Sequence, residues 1–127
     1  MLLTNYEIYD LAIRSQVFYE DKVSQFPAKA GFYLFKNLKT LKELALEIEE
    51  MRRGIINTFQ PELLEDGTYR IAPELKEKLQ KQLDSLSSLP QDIPLYKLKL
   101  EDFEEVKLSG EQLDVLVDMI EEIEEEN

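Results

Sequence analysis

The 127-residue sequence contains no histidine, no cysteine and no tryptophan, and its four glycines stand apart at positions 31, 54, 67 and 110. Without histidine or cysteine, the chain has no imidazole base, no thiolate nucleophile, no disulfide and no zinc–thiolate site. The isolated glycines also exclude a glycine-rich phosphate-binding loop. We therefore predict a non-enzymatic protein that carries no cofactor and no metal ion.

Long hydrophobic runs are missing as well. No apolar stretch approaches the ~20 residues needed to cross a bilayer, and the first residues lack the basic and apolar regions of a signal peptide. The length suits one domain, and 43% hydrophobic residues are enough for an ordinary core. The sequence predicts a single soluble domain over 1–127 in the cytoplasm, without membrane contact.

Charge of one sign dominates one end of the chain. Residues 1–60 carry eight acidic and eight basic side chains, whereas residues 101–127 carry 12 acidic ones and a single base, Lys107. The formal net charge of −12 disfavours direct binding to nucleic acid or to anionic lipid. The acidic segment is therefore the first candidate for a functional surface.

The spacing of apolar residues predicts four helices. Two of them begin with capping boxes, Thr4 with Glu7 and Ser109 with Gln112. The predicted helices cover about 4–24, 28–56, 74–88 and 110–125.

Between these helices, the sequence predicts a small antiparallel sheet formed by the segments 63–71 and 93–108. The first segment contains an Asp-Gly turn, and the second alternates apolar residues with lysine. The predicted fold class is mainly α, or α+β in strict terms. A long hairpin of the first two helices carries two shorter helices and the sheet.

The first helix has more apolar surface than one partner can cover. Its apolar residues form two stripes, so we expect partners on two sides. The stripes are Ile8/Leu11/Ser15/Phe18 and Tyr6/Tyr9/Ile13/Val17.

Aromatic side chains are frequent in the first 35 residues, where the first two helices are predicted to pack through them. Phe32, Tyr33 and Phe35 cannot all face one side of a helix. At least one of them should be exposed or lie against another chain.

The last helix carries the candidate binding residues on its polar side. They are Asp114, Asp118, Glu121, Glu122 and Glu125. Carboxylates four residues apart on a helix lie about 6 Å from each other, a spacing comparable to that of phosphates along a nucleic-acid strand. The face is interpreted either as a docking surface for a basic partner or as a solvated helix face that maintains solubility.

The order of several segments resembles a group of small acidic proteins encoded by tailed phages and prophages of Gram-positive bacteria. These segments are Phe26-Pro27-Ala28-Lys29, Lys36-Asn37-Leu38-Lys39, Glu65-Asp66-Gly67-Thr68-Tyr69, Ile93-Pro94-Leu95, Leu100-Glu101-Asp102-Phe103 and Leu108-Ser109-Gly110-Glu111-Gln112-Leu113. The resemblance implies a phage-encoded protein but no functional residue, because the group has no established chemistry.

Two functions are the leading candidates at the level of sequence, and an enzyme is a distant third. The first is a protein–protein interaction module whose carboxylates occupy a basic surface, as in an inhibitor of a host or anti-phage nucleic-acid-handling protein. The second is a phage structural or assembly component that self-associates through its long helix, which would make a homo-oligomer.

Overall fold

In the computed structural model, which describes residues 1–119, four α-helices account for most of the chain. They are α1 (Asn5–Lys22), α2 (Ala28–Thr58), α3 (Pro73–Ser88) and α4 (Gly110–Val117). α1 and α2 form the most extensive helix pair, and α3 and α4 pack beside them. This arrangement confirms the predicted mainly α fold with a long two-helix hairpin. No helix within residues 1–119 is long and apolar enough to span a membrane.

Local side-chain chemistry sets the beginnings of α1 and α4, as predicted. The Thr4 hydroxyl accepts from the Glu7 backbone N–H at 3.2 Å, and the Glu7 carboxylate accepts from the Thr4 N–H at 3.0 Å. Ser109 and Gln112 repeat this exchange at 3.2 and 3.0 Å. Each box satisfies backbone donors that the first helical turn leaves without a partner.

The longest element is α2, whose 31 residues give a length of roughly 46 Å at the α-helical rise. It has no internal proline, and it continues through Gly54 to Thr58, slightly beyond the predicted end at 56. Pro27 directly precedes it and separates it from a short 3-10 helix, Val23–Gln25, that follows α1.

Two separate antiparallel ribbons take the place of the single predicted sheet. β1 (Leu2–Thr4) pairs with β4 (Pro90–Asp92), and β2 (Glu62–Leu63) pairs with β3 (Tyr69–Arg70). The second ribbon is the hairpin predicted for 63–71, and Gly67 in its turn has a φ of 86°, which glycine adopts without strain.

The segment 93–108 is not a strand, contrary to the prediction. The Tyr96 N–H donates to the Asn37 side-chain carbonyl at 2.7 Å, and the Asn37 amide donates back to the Tyr96 carbonyl at 2.9 Å. The Leu98 N–H donates to the Met119 carbonyl at 2.8 Å. The backbone groups of this segment that would pair with a neighbouring strand therefore bond to the Asn37 side chain and to a single carbonyl, that of Met119. A 3-10 helix follows at Leu100–Phe103.

The core lies where α1, α2, α4 and the 93–108 segment meet. Its largest buried side chains come from all four, and they are Ile8, Leu11, Phe18, Leu34, Leu41, Leu98, Leu116 and Met119. Phe26 joins the layers through edge-to-face contacts, with ring centroids 5.4 Å from Phe18 and 5.7 Å from Phe103. The predicted packing of the first two helices through aromatic rings is present in the contact of Tyr19 with Phe35, whose ring centroids lie 6.0 Å apart, while Phe32 and Phe35 stay about half exposed.

The last helix is shorter than predicted within the described residues. α4 ends at Val117, with Asp118 as its C-cap and the Met119 N–H donating to the Leu116 carbonyl at 2.8 Å. The remainder of the predicted helix, 120–125, lies outside the described residues.

Candidate functional site

The two apolar stripes of α1 have different environments. The stripe Ile8/Leu11/Ser15/Phe18 is fully buried. The second stripe faces outward, and its exposed fractions are 67% for Tyr6, 43% for Tyr9, 53% for Ile13 and 63% for Val17. Within residues 1–119, the expectation of partners on two sides is therefore met on one side only.

The C-terminal half of this outer stripe, Ile13 and Val17, borders a groove between α1 and α4. Ile13, Val17 and Phe18 line it from α1, and Val115 lines it from α4. We call this the α1–α4 groove. It is open to solvent and has a volume of about 500 Å³.

Carboxylates line the α4 side of the α1–α4 groove. Glu111 and Asp114 line it from the first turns of α4, and Arg14 is the basic residue in its lining. The Arg14 Nε donates to the Asp10 carboxylate at 2.9 Å, and its Nη2 lies 3.7 Å from the Asp118 carboxylate. Arg14 is thus held between two acids.

The charge of Arg14 is therefore already matched, and the negative charge of the groove remains in excess. In the part of the chain that the structure describes, no lysine or arginine nitrogen lies within 4.0 Å of a carboxylate oxygen of Glu111 or Asp114. Both side chains are exposed, so they are available to cations of a partner.

One further contact fixes α4 against α1 at the end of the groove. The Gln112 side-chain amide donates to the Asp21 carboxylate at 2.7 Å. Gln112 is also part of the α4 capping box, so one residue takes part both in the helix start and in a contact with α1.

The predicted site residues divide into three groups. Asp114 lies at the α1–α4 groove, and Asp118 lies beside it as the partner of Arg14. Glu121, Glu122 and Glu125 lie outside the described residues.

The sequence prediction missed the α1 half of the site. The sequence places Ile13 and Val17 on a helix stripe that needs a partner but does not identify that stripe as a binding surface, and it gives no role to Arg14. The available signal was the excess apolar surface of the first helix, which is typical of an interaction site when no partner is present in the same chain. Glu111 was also left out, although it belongs to the same polar face.

Two carboxyl groups outside the groove have lowered pKa values, and each has a local cause. The Thr4 backbone N–H, and then its hydroxyl, hold the pKa of Glu7 below its usual range. The Thr68 hydroxyl, and then its N–H, do the same for Asp66 in the hairpin turn. These shifts reflect a helix cap and a turn. Among residues 1–119, no three acidic side chains lie close enough together to hold a metal ion.

A second groove lies at the far end of α2, between α3 and the hairpin. Arg52 and Arg53 contribute to its lining, but the Glu49 carboxylate lies 3.6 and 3.5 Å from their nitrogens. The two arginines therefore share a single carboxylate of their own helix, which offsets one of their two positive charges.

The sequence matches no model of a known protein family, and neither the curated proteins nor the solved structures include one with significant similarity to it.

Proposed function

We propose that this chain is a non-enzymatic protein–protein interaction module that binds a basic protein partner through the α1–α4 groove and the acid of its C-terminal helix. The observation that carries the proposal is the outer stripe of α1, where four large apolar side chains are exposed and two of them, Ile13 and Val17, line a groove together with the carboxylates of α4. Exposed apolar groups that cluster inside a polar border are typical of protein interaction sites.

The two components of the surface contribute in different ways. Burial of Ile13 and Val17 by a partner would remove apolar area from water and stabilise the complex. The carboxylates of Glu111 and Asp114 would attract a basic partner over several ångströms and select against acidic ones. Because salt screens exposed charges, the proposal implies binding that weakens as the salt concentration rises.

The resemblance to phage and prophage proteins supports a host or anti-phage protein as the partner. Proteins that handle nucleic acid carry basic channels, and a row of carboxylates on a helix is one means of occupying such a channel. In this version, the chain acts as an inhibitor that competes with nucleic acid.

An affinity experiment with matched charge variants tests the proposal. The full chain is immobilised and exposed to a lysate of a Gram-positive host at 50 and 300 mM salt. The test variant combines Glu111→Gln with Asp114→Asn, and the control variant combines Glu47→Gln with Glu50→Gln on exposed positions of α2. Both variants lose two negative charges.

A partner that fits the proposal binds the unaltered chain and the control at low salt, and binds the groove variant at least about 10-fold more weakly when both proteins are purified and measured by calorimetry. Equal binding to the test and control variants would show that the groove carboxylates do not carry recognition. A binding constant that does not change with salt would contradict the electrostatic part of the proposal.

Self-association through α2 is a second candidate, and the exposure of Leu46 and Met51 supports it. However, Lys39, Lys42 and Glu43 interrupt the helix surface between Phe35 and Leu46. Light scattering on the full chain separates the candidates, because a strict monomer at high concentration is incompatible with an assembly component of this kind.

A further inference from the structure

We infer that the α1–α4 groove accepts an amphipathic helix of the partner, with apolar residues on its inner face and a row of lysine or arginine along the edge that faces α4. This inference rests on the proposed function and specifies what the partner presents. It follows from the shape of the groove, the spacing of its charges and the charge of the competing occupants.

The shape of the groove favours a helix. Two helices, α1 and α4, form its walls, and Phe18 and Val115 form an apolar floor between them. Ile13 and Val17 are four residues apart, so they lie about 6 Å from each other along one wall, one helical turn apart. A helix that carries apolar residues at i, i+3 or i+4, and i+7 repeats this spacing, as in helix-in-groove recognition generally.

The charges of the groove follow the same period. Glu111, Asp114 and Asp118 are three and four residues apart on α4, so their carboxylates form a row with one group per turn. Basic residues at i and i+3 or i+4 on an incoming helix match such a row. Arg14 already neutralises part of the charge at the Asp118 end, which leaves Glu111 and Asp114 as the groups expected to pair with the partner.

Charge argues against two other occupants. A second copy of this chain would bring the same carboxylates to the groove in a symmetric contact, and like charges would then face each other. The eight residues after Met119 contain five glutamates and no base, so as an occupant they would bring more negative charge to a groove that already has an excess of it. A basic helix removes this repulsion.

The test uses a library of 18-residue amphipathic helical peptides and the full chain as the target. Apolar positions of the library are fixed as leucine at helical spacing, and the flanking positions vary among lysine, glutamate, glutamine and serine. We expect selection to enrich lysine along one flank. The dissociation constant of the enriched peptide is then measured by fluorescence anisotropy.

Four variants locate the binding surface. Ile13→Ser with Val17→Ser should weaken binding at least about 10-fold, and Glu111→Gln with Asp114→Asn at least about 3-fold. Leu46→Ser, at a comparably exposed apolar position on α2, should change affinity less than 2-fold. A chain that lacks residues 120–127 should bind within about 3-fold of the full chain. Thermal unfolding of each variant checks the fold, which is expected to persist in the three substitution variants because the substituted side chains are exposed.

Several results would overturn the inference. They are enrichment of uncharged or acidic flanks, the absence of any enriched peptide, affinity that is insensitive to the Ile13 and Val17 changes, and a gain of more than about 10-fold on removal of 120–127. A dimer that dissociates when Ile13 and Val17 are changed would also overturn it, since the occupant would then be a second copy. If a partner from the lysate needs Glu111 and Asp114 for binding while the peptide test fails, the proposed function is retained, and the inference that the partner presents an amphipathic helix is rejected.

Discussion

Replacement of Asn37 by alanine should lower the free energy of unfolding by about 3 kcal/mol. The Asn37 side chain is fully buried in the middle of α2 and exchanges two hydrogen bonds with the Tyr96 backbone, at 2.7 and 2.9 Å. Its amide also donates to the Met119 sulfur at 3.6 Å. Two backbone hydrogen bonds contribute about 1 kcal/mol each, and the volume left by the carboxamide adds about 1 kcal/mol more.

Urea and thermal unfolding followed by circular dichroism measure this loss. For a domain of this size, 3 kcal/mol corresponds to a fall in Tm of roughly 10 °C. The matched control is Asn57→Ala, because Asn57 is an exposed asparagine in the same helix and its replacement should change stability by less than about 0.5 kcal/mol. Equal effects of the two substitutions would refute the argument that Asn37 joins α2 to the 93–108 segment.

The isosteric change Asn37→Asp adds a pH test. A carboxylate at this position would keep the acceptor for the Tyr96 N–H, lose the donor to the Tyr96 carbonyl and place a charge in a buried site. Burial raises the pKa of a carboxyl group in the folded state above its unfolded value, so the penalty applies when the group is ionised. The variant should therefore recover stability relative to the unaltered protein as pH falls from 7 to 4, and a constant difference would contradict this reasoning.

Further substitutions test the local backbone and the helix caps. Gly54→Ala should raise the free energy of unfolding by about 0.5–1 kcal/mol, because Gly54 lies inside α2 and the position that a Cβ would occupy is open. Gly67→Ala should lower it by about 1 kcal/mol in the same urea assay, since the φ of 86° strains any other residue. Because the pKa of Glu7 is lowered in the folded state, ionised Glu7 stabilises the fold at pH values above its ordinary pKa of 4.5, and this stabilisation is lost as the pH falls through the lower folded-state pKa. Glu7→Gln should therefore reduce the acid dependence of unfolding below pH 4.5. Ser109→Ala should cost about 1 kcal/mol and increase amide hydrogen exchange in α4, whereas unchanged exchange would show that the capping box is dispensable.

Features that depend on neighbouring residues were predictable from the sequence. Thr4 with Glu7 and Ser109 with Gln112 form the predicted caps because the partners are three residues apart and need no tertiary context. The buried stripe of α1 and the long α2 follow from a helical period that many residues repeat.

Features that depend on distant partners were not predictable. Tyr96, Leu98 and Leu100 alternate with lysines as a strand would, yet only Leu98 is buried. Asn37 removes the backbone groups of Tyr96 from any ladder, and a single asparagine in a helical pattern gives no sign of this role.

The candidate site was half predicted for the same reason. The cluster of acidic residues is visible in the sequence, so Asp114 and Asp118 could be predicted as site residues. The position of the α4 acids beside Ile13 and Val17 depends on tertiary contacts of α4, which are the burial of Leu116 in the core and the Gln112 bond to Asp21, 91 positions away.

The pairing of β1 with β4 has a consequence for the synthesis of this protein. The Asn5 side chain donates to the Leu86 carbonyl 81 residues later, and β1 reaches its partner only at Pro90–Asp92. At a translation rate of about 5–20 residues per second, the start of the chain waits roughly 4–16 s for these partners after it is made. The residues of α1 and α2 are synthesised before those of β4, so the first strand has no partner while these two helices are being made. The closing of that strand is a late event, and a chain halted before residue 90 would keep an open edge to which another strand could add.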